Sequence, residues 1–168
     1  KRLEHILKKM VFAIATEELT GMMTRRSLYC SKNASSNFSA VSFDEAAGNV
    51  WQKRVEHSFD KSVRCTECKG TRVELEVIGR DNKAYGFIHA DGQNKIIKEM
   101  TMKFDVIVGN PPYQMSGGGG GVNDTAIYQI FVQQAISLNP SYTSMIIPSR
   151  WMSSGRGLTD FRRLMLSG

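Results

Sequence analysis

The run Phe104-Asp105-Val106-Ile107-Val108-Gly109-Asn110-Pro111-Pro112-Tyr113-Gln114 joins an apolar, strand-like segment to a stiff turn. Proline fixes φ and carries no amide donor, and the residue before a proline is held extended. The Asn110-Pro111-Pro112 turn is therefore rigid, and its carbonyls have no neighbouring proline N–H to bond. A side-chain amide, rigid carbonyls and the ring of Tyr113 suit a planar group that carries an NH2. A nucleobase amine and a side-chain amide both answer that description.

Outward from this turn, two more continuous apolar runs read as strands, residues 11–15 (VFAIA) and 144–147, and residues 85–90 (YGFIHA) read as another. Continuous rather than alternating apolar strands point to a parallel sheet covered on both faces. Helical patterns lie between them. Residues 2–9 read as the end of a helix, and Thr16 with Glu17 and Glu18 gives a hydroxyl cap and first-turn acids for a helix to about Tyr29. Asp124 or Thr125 caps another helix through Ile136, and residues 94–100 and 157–166 read as two more. Between them, residues 31–84 are irregular: a Ser/Asn-rich loop over 31–42, a helix over 43–53 and a strand over 71–78. The expected division is thus helix–strand–helix over 1–30, an insertion over 31–84, and a core over 85–168 carrying the Asn-Pro-Pro turn. The expected fold is α/β, a Rossmann-like, mostly parallel sheet with helices on both faces and an irregular insertion. In such sheets ligands bind beyond the carboxyl ends of the strands, where both Asp91 and Asn110 fall.

Composition sets the outer limits. With 168 residues the chain is large enough for one domain. Its three cysteines are an odd number, which argues against a disulfide framework and for a reducing, cytoplasmic setting. A net charge of +6 permits a polyanionic partner without requiring one. Apolar runs are all shorter than a membrane span, so no membrane partner is expected. The chain opens on Lys1 within a helical pattern and stops just after another, as a piece of a longer protein does; its open sheet edges are expected to favour self-association.

The segments SLYCSK (27–32), FIHAD (87–91), FDVIVGNPPYQ (104–114) and SRWMSSGRGLTDFRR (149–163) resemble the large restriction–modification methylases, and the Asn-Pro-Pro-Tyr turn resembles the signature of class I amino-methyltransferases that use S-adenosylmethionine, above all those acting on adenine in DNA. The resemblance implies an adenine-specific DNA methyltransferase, with DNA as partner. By position, Asn110 and the Pro111 carbonyl would accept hydrogen bonds from the target amine. Pro112 keeps the turn rigid, and Tyr113 would stack on a base extruded from the duplex. Asp91 matches the acid that holds the adenine amine of the cofactor; as a residue by itself it also reads as a solvated turn before Gly92. Arg150 and Trp151 match the segment that lines the cofactor and target pockets, although Arg150 equally reads as a surface cation.

Two departures stand against this pattern. A glycine-rich F-x-G-x-G cofactor loop is absent from the chain, and the five glycines at 117–121 follow the turn rather than precede the first helix. The acid that holds the cofactor ribose is replaced by Ala15, with Glu17 two residues on; Glu17 either substitutes for it or decorates a helix start. The chain alone is therefore expected to bind the cofactor weakly or not at all, and to be inactive. Two rival readings remain: the same turn acting on RNA guanine or on a protein glutamine, and a non-catalytic DNA-binding segment.

Cys65-x-x-Cys68 supplies half a metal site. With Cys30 and His57 the donors reach the four that structural zinc requires, in an insertion with little core of its own. Cys30 is distant in sequence and one CxxC pair is a weak signal, so ordinary buried thiols are the competing reading. His5 and His89 read as structural.

Overall fold

The computed structural model describes residues 1–51, 53–76, 83–89, 103–115, 125–153 and 157–167. Asp91, the helix expected over 94–100, the five-glycine run and Asp124 lie outside these residues.

Short helix α1 (Arg2–His5) runs into a π-helical turn (Ile6–Met10), and then strand β1 (Ala13–Ile14). Helix α2 (Glu18–Tyr29) follows, with Glu17 rather than Thr16 at its N-cap. It closes on Cys30, whose φ of +60° is left-handed and whose N–H bonds the Arg26 carbonyl. Strand β2 (Val50–Trp51) pairs parallel with β1. The residues before it form turns, not the expected helix. Gly48 sits there at φ +56°, with Tyr29 and Ala34 so close that a Cβ would meet Tyr29 Cε2 at 2.8 Å.

Two further expectations are corrected. The segment read as a strand over 71–78 forms helix α3 (Arg72–Leu75) within its described part, and the strand expected over 85–90 is a 3-10 turn (Lys83–Phe87). The first was read from alternation and the second from apolar content, and neither by itself fixes the backbone state. Tyr85 and Ile88 are buried because they pack with Cys65, Cys68, Ile127 and Phe131, so no sheet is needed to hide them.

Strand β3 (Val106–Gly109) and strand β6 (Tyr142–Met145) pair in parallel, with Ile107 opposite Thr143. Between them in sequence come β4 (Gln114–Met115) and β5 (Thr125–Ala126), an antiparallel pair, and helix α4 (Tyr128–Ser137). The N-cap of helix α4 is Ile127, not the expected Thr125. It buries Tyr128, Phe131, Val132 and Ala135 at helical spacing. Each large apolar side chain so buried is worth roughly 1.5–3 kcal/mol. A second 3-10 turn (Ser149–Ser153) leads to helix α5 (Thr159–Leu166), held by Leu158 and Phe161 against Tyr128 and Val132.

The fold is α/β with short parallel pairs. Burial on both sheet faces is not met along β3 and β6: Val106, Val108, Tyr142 and Ile146 are 57–73 % exposed on one side. No helix among the described residues is long and apolar enough to cross a membrane.

Candidate active site and donor cluster

The carboxyl end of β3 delivers Asn110, Pro111 and Pro112 to the edge of a cleft of about 390 Å³. Its floor is β3 itself, and Met145 comes from β6 alongside. Phe12, Ala13, Ile14 and Thr16 bring β1 to one side; Ala84 and Phe87 of the Lys83–Phe87 turn and Phe131 and Gln134 of α4 close the others. The turn is braced from both ends. The Ile146 N–H bonds the Gly109 carbonyl at 2.9 Å, extending the parallel ladder to the residue before Asn110. On the far side the Ile127 N–H bonds the Tyr113 carbonyl at 3.2 Å, tying the turn to the start of α4. Both prolines are half-buried while Asn110 and Tyr113 are exposed, so the rigid part is anchored and the amide and ring are accessible. Tyr113 is 38 % exposed and does not line the cleft.

Glu17 follows β1 at the helix start and is exposed; its neighbour Thr16 lines the cleft and Glu17 does not. Arg150 is exposed on the Ser149–Ser153 turn. Trp151 is half-buried and meets Phe161 edge-on at 6.2 Å, so its ring fastens α5 rather than facing open solvent.

The metal-ligand expectation is corrected at one position. His57, Cys65 and Cys68 come together, but Cys30 is exposed at the end of α2 and takes no part; the fourth donor is His89. All four donor atoms lie within 4.8 Å of one another. The Cys65 Sγ is 3.8 Å from His89 Nε2, and the Cys68 Sγ is 3.6 Å from His57 Nδ1. Cys65, Cys68 and His89 are buried. Burial, then the neighbouring His89, pushes the His57 pKa down to about 4, and burial pushes the Cys68 thiol up to about 12. Sequence reading missed His89 because it follows Cys68 by a long interval. A histidine inside the apolar run FIHA was the available signal, since such a group needs a polar partner.

Residues 9–168 match the family described as Eco57I restriction-modification methylase, and the chain belongs to that family. It is 36% identical to a Mycoplasma pneumoniae protein named an uncharacterized adenine-specific methylase, over 94% of this chain. The match spans 42% of that relative's length. No solved structure matches the chain.

Proposed function

We propose that this chain is the target-amine half of an adenine-specific DNA methyltransferase of a restriction–modification system, with a partial Rossmann-like core (residues 1–30 and 85–168) around an insertion (31–84). The observation that carries the reading is Asn110-Pro111-Pro112 at the carboxyl end of β3, lining a cleft of about 390 Å³. That volume falls in the range of small-molecule sites. Family membership and the name of the Mycoplasma relative support the substrate class.

The cleft fits S-adenosylmethionine in kind: Phe12, Ile14 and Phe104 offer an apolar bed along β1 and the start of β3. When bound, that cofactor supplies an electrophilic methyl group on sulfonium. The chain's own work is orientation. The Asn110 amide oxygen and the Pro111 carbonyl accept the two N–H bonds of the target amine, which turns the nitrogen's electron density toward the methyl donor. The same acceptors would stabilise positive charge growing on that nitrogen as the methyl group passes from sulfur, which leaves as a neutral thioether, to nitrogen. A proton leaves the amine afterwards to water, so no strong base is needed. Tyr113, exposed at the rim, receives the extruded base, and Arg150 pairs with backbone phosphate. Asp91 and Glu17 are proposed to hold the cofactor.

The test is Asn110→Ala in the whole protein, assayed on DNA, RNA and protein substrates. Methyl transfer to adenine in DNA should fall by at least about 100-fold, the scale for losing an oriented polar group, while the melting midpoint stays put. Undiminished transfer would sink the assignment of Asn110, and wild-type transfer only to RNA or protein would redirect the substrate.

A further inference from the structure

None of the four clustered donors lines the cleft that carries the Asn-Pro-Pro turn. We propose that His57, Cys65, Cys68 and His89 form a structural zinc site that clasps the 57–70 hairpin to the segment walling the cleft.

Three observations carry this. First, two of the donor pairs are spaced nearly as on a tetrahedral ion. With Zn–S near 2.3 Å and Zn–N near 2.0–2.1 Å, tetrahedral angles put sulfur and nitrogen ligands about 3.5–3.6 Å apart. The observed Cys68–His57 and Cys65–His89 separations are 3.6 and 3.8 Å. Cys2His2 is also a balanced set, because two thiolates neutralise a divalent cation in a buried place.

Second, the backbone is shaped to present the sulfurs. Antiparallel bridges join Phe59 to Cys65 and Arg64 to Thr71, so Cys65-Thr66-Glu67-Cys68 forms the tip of a hairpin. The Cys65 N–H bonds the Gly70 carbonyl at 2.7 Å, and the Lys69 N–H bonds the Cys65 carbonyl at 3.0 Å. Lys69 is left-handed at φ +63°, which folds the chain back on itself directly after Cys68.

Third, the remaining ring nitrogen of His89 has a partner of the right kind. Its Nε2 faces Cys65, and its Nδ1 lies 3.9 Å from the Glu67 carboxylate. A carboxylate behind a ligating imidazole fixes the tautomer and the ring orientation. Here the same loop supplies both cysteines and that carboxylate.

A core of plain buried thiols would not require these features. Two free cysteines packed as apolar side chains need neither imidazole within 4 Å nor a carboxylate behind one. A redox CxxC pair needs an accessible, acidic thiol, whereas both sulfurs are buried. The location gives the ion a task. His89 lies two residues past the Lys83–Phe87 turn, and its N–H bonds the Tyr85 carbonyl at 3.1 Å. Ala84 and Phe87 of that turn wall the cleft, so an ion at the cluster would set the position of that wall.

The experiment is metal analysis of the whole protein after dialysis against metal-free buffer, with cobalt replacement as a spectroscopic reporter. One zinc per chain is expected, and cobalt-loaded protein should show thiolate-to-cobalt charge transfer with the intense visible bands of a tetrahedral site. Cys68→Ser should abolish stoichiometric zinc, and Cys30→Ser should leave it intact. Glu67→Gln, which keeps all four donors, should weaken zinc affinity about 10–100-fold in a chelator competition. If the single substitutions fail to fold, the wild-type cobalt spectrum still decides the matter. Wild-type protein without zinc and without a cobalt–thiolate band, or full zinc retention in Cys68→Ser, would overturn the site. Zinc lost equally in Cys30→Ser would overturn this choice of ligands.

Discussion

Asn49 is the most informative place to perturb the cleft from a distance. Its side-chain Nδ2 lies 3.0 Å from the carbonyls of Leu7 and Lys8 and 3.2 Å from that of Val11, while its own carbonyl accepts the Ala13 N–H at 3.0 Å. Carbonyls at the end of a helix have no partner in the helix itself. Asn49 therefore closes the π-helical turn and fixes the start of β1, whose Ala13 and Ile14 line the cleft. Two amide hydrogens can make two full bonds, each worth about 0.5–1.5 kcal/mol net, and carbonyls left without donors add about 1–3 kcal/mol. Allowing for water reaching part of this end, Asn49→Ala should cost about 2–4 kcal/mol. For a chain of this size that lowers the melting midpoint by roughly 5–15 °C.

Asn49→Asp is the sharper variant, because it keeps the shape and removes only the donors. A carboxylate can only accept, and here it would face three carbonyls, so the loss should exceed that of the alanine variant. Protonation restores one donor, so the variant's carboxyl pKa must rise on folding. The folded state then binds more protons than the unfolded state, and stability falls as pH rises through the carboxylate range. Urea unfolding followed by fluorescence of Trp51, buried at 4 % exposure, reports the change beside the substitution. Asn37→Asp, in an exposed loop, serves as the control. An Asn49→Asp midpoint within about 1 °C of wild type at neutral pH would refute the assignment of these bonds.

Gly48→Ala should cost about 2–5 kcal/mol, since φ +56° disfavours a Cβ and that Cβ would meet Tyr29 at 2.8 Å and Ala34 at 3.0 Å; an unshifted urea midpoint would contradict this. Glu18 is held below its ordinary carboxyl range first by the Lys83 hydrogen bond and then by that of Arg25. Its pairs with Lys83 (2.8 Å) and Arg25 (3.1 Å) should thus stabilise the fold above about pH 4.5, the ordinary value, and be lost as pH falls through the lowered one. Glu18→Gln should flatten the acid limb of a stability–pH curve, and an unchanged limb would assign that acid sensitivity elsewhere. In the whole protein, Tyr113→Ala should weaken binding of an extruded base by about 1–3 kcal/mol with little change in melting, as read from substrate titration. Arg150→Ala should reduce the slope of log affinity against log salt by about 1; equal slopes would place Arg150 off the DNA.

What was legible in the sequence divides along the range of the forces involved. The Asn-Pro-Pro turn is governed by local geometry: proline dictates its own φ and that of its neighbour, so the turn and a strand ending at about Val108, one residue short of the observed Gly109, could be placed without knowing what surrounds them. The α2, α4 and α5 helices were likewise visible, because their patterns carry apolar content and period together, while the continuous runs at 11–15 and 144–147 marked β1 and β6 only coarsely, the latter lying at Tyr142–Met145. Residues 85–88 carry apolar content alone. Tyr85 and Ile88 are hidden by Cys65, Cys68, Ile127 and Phe131, partners far off along the chain, and nothing within the segment tells a strand from a 3-10 turn. The donor cluster shows the same limit. The CxxC spacing is local and readable, but the choice of imidazole is made by the path of the chain. Cys30 was excluded by a left-handed helix end that leaves it exposed, and His89 was included by a turn whose geometry the sequence does not encode locally. A site assembled from three segments is only as legible as its least local member. The Asn-Pro-Pro turn was readable for the opposite reason: Asn110 and Pro111 are adjacent, and the rest of the fold only has to aim them.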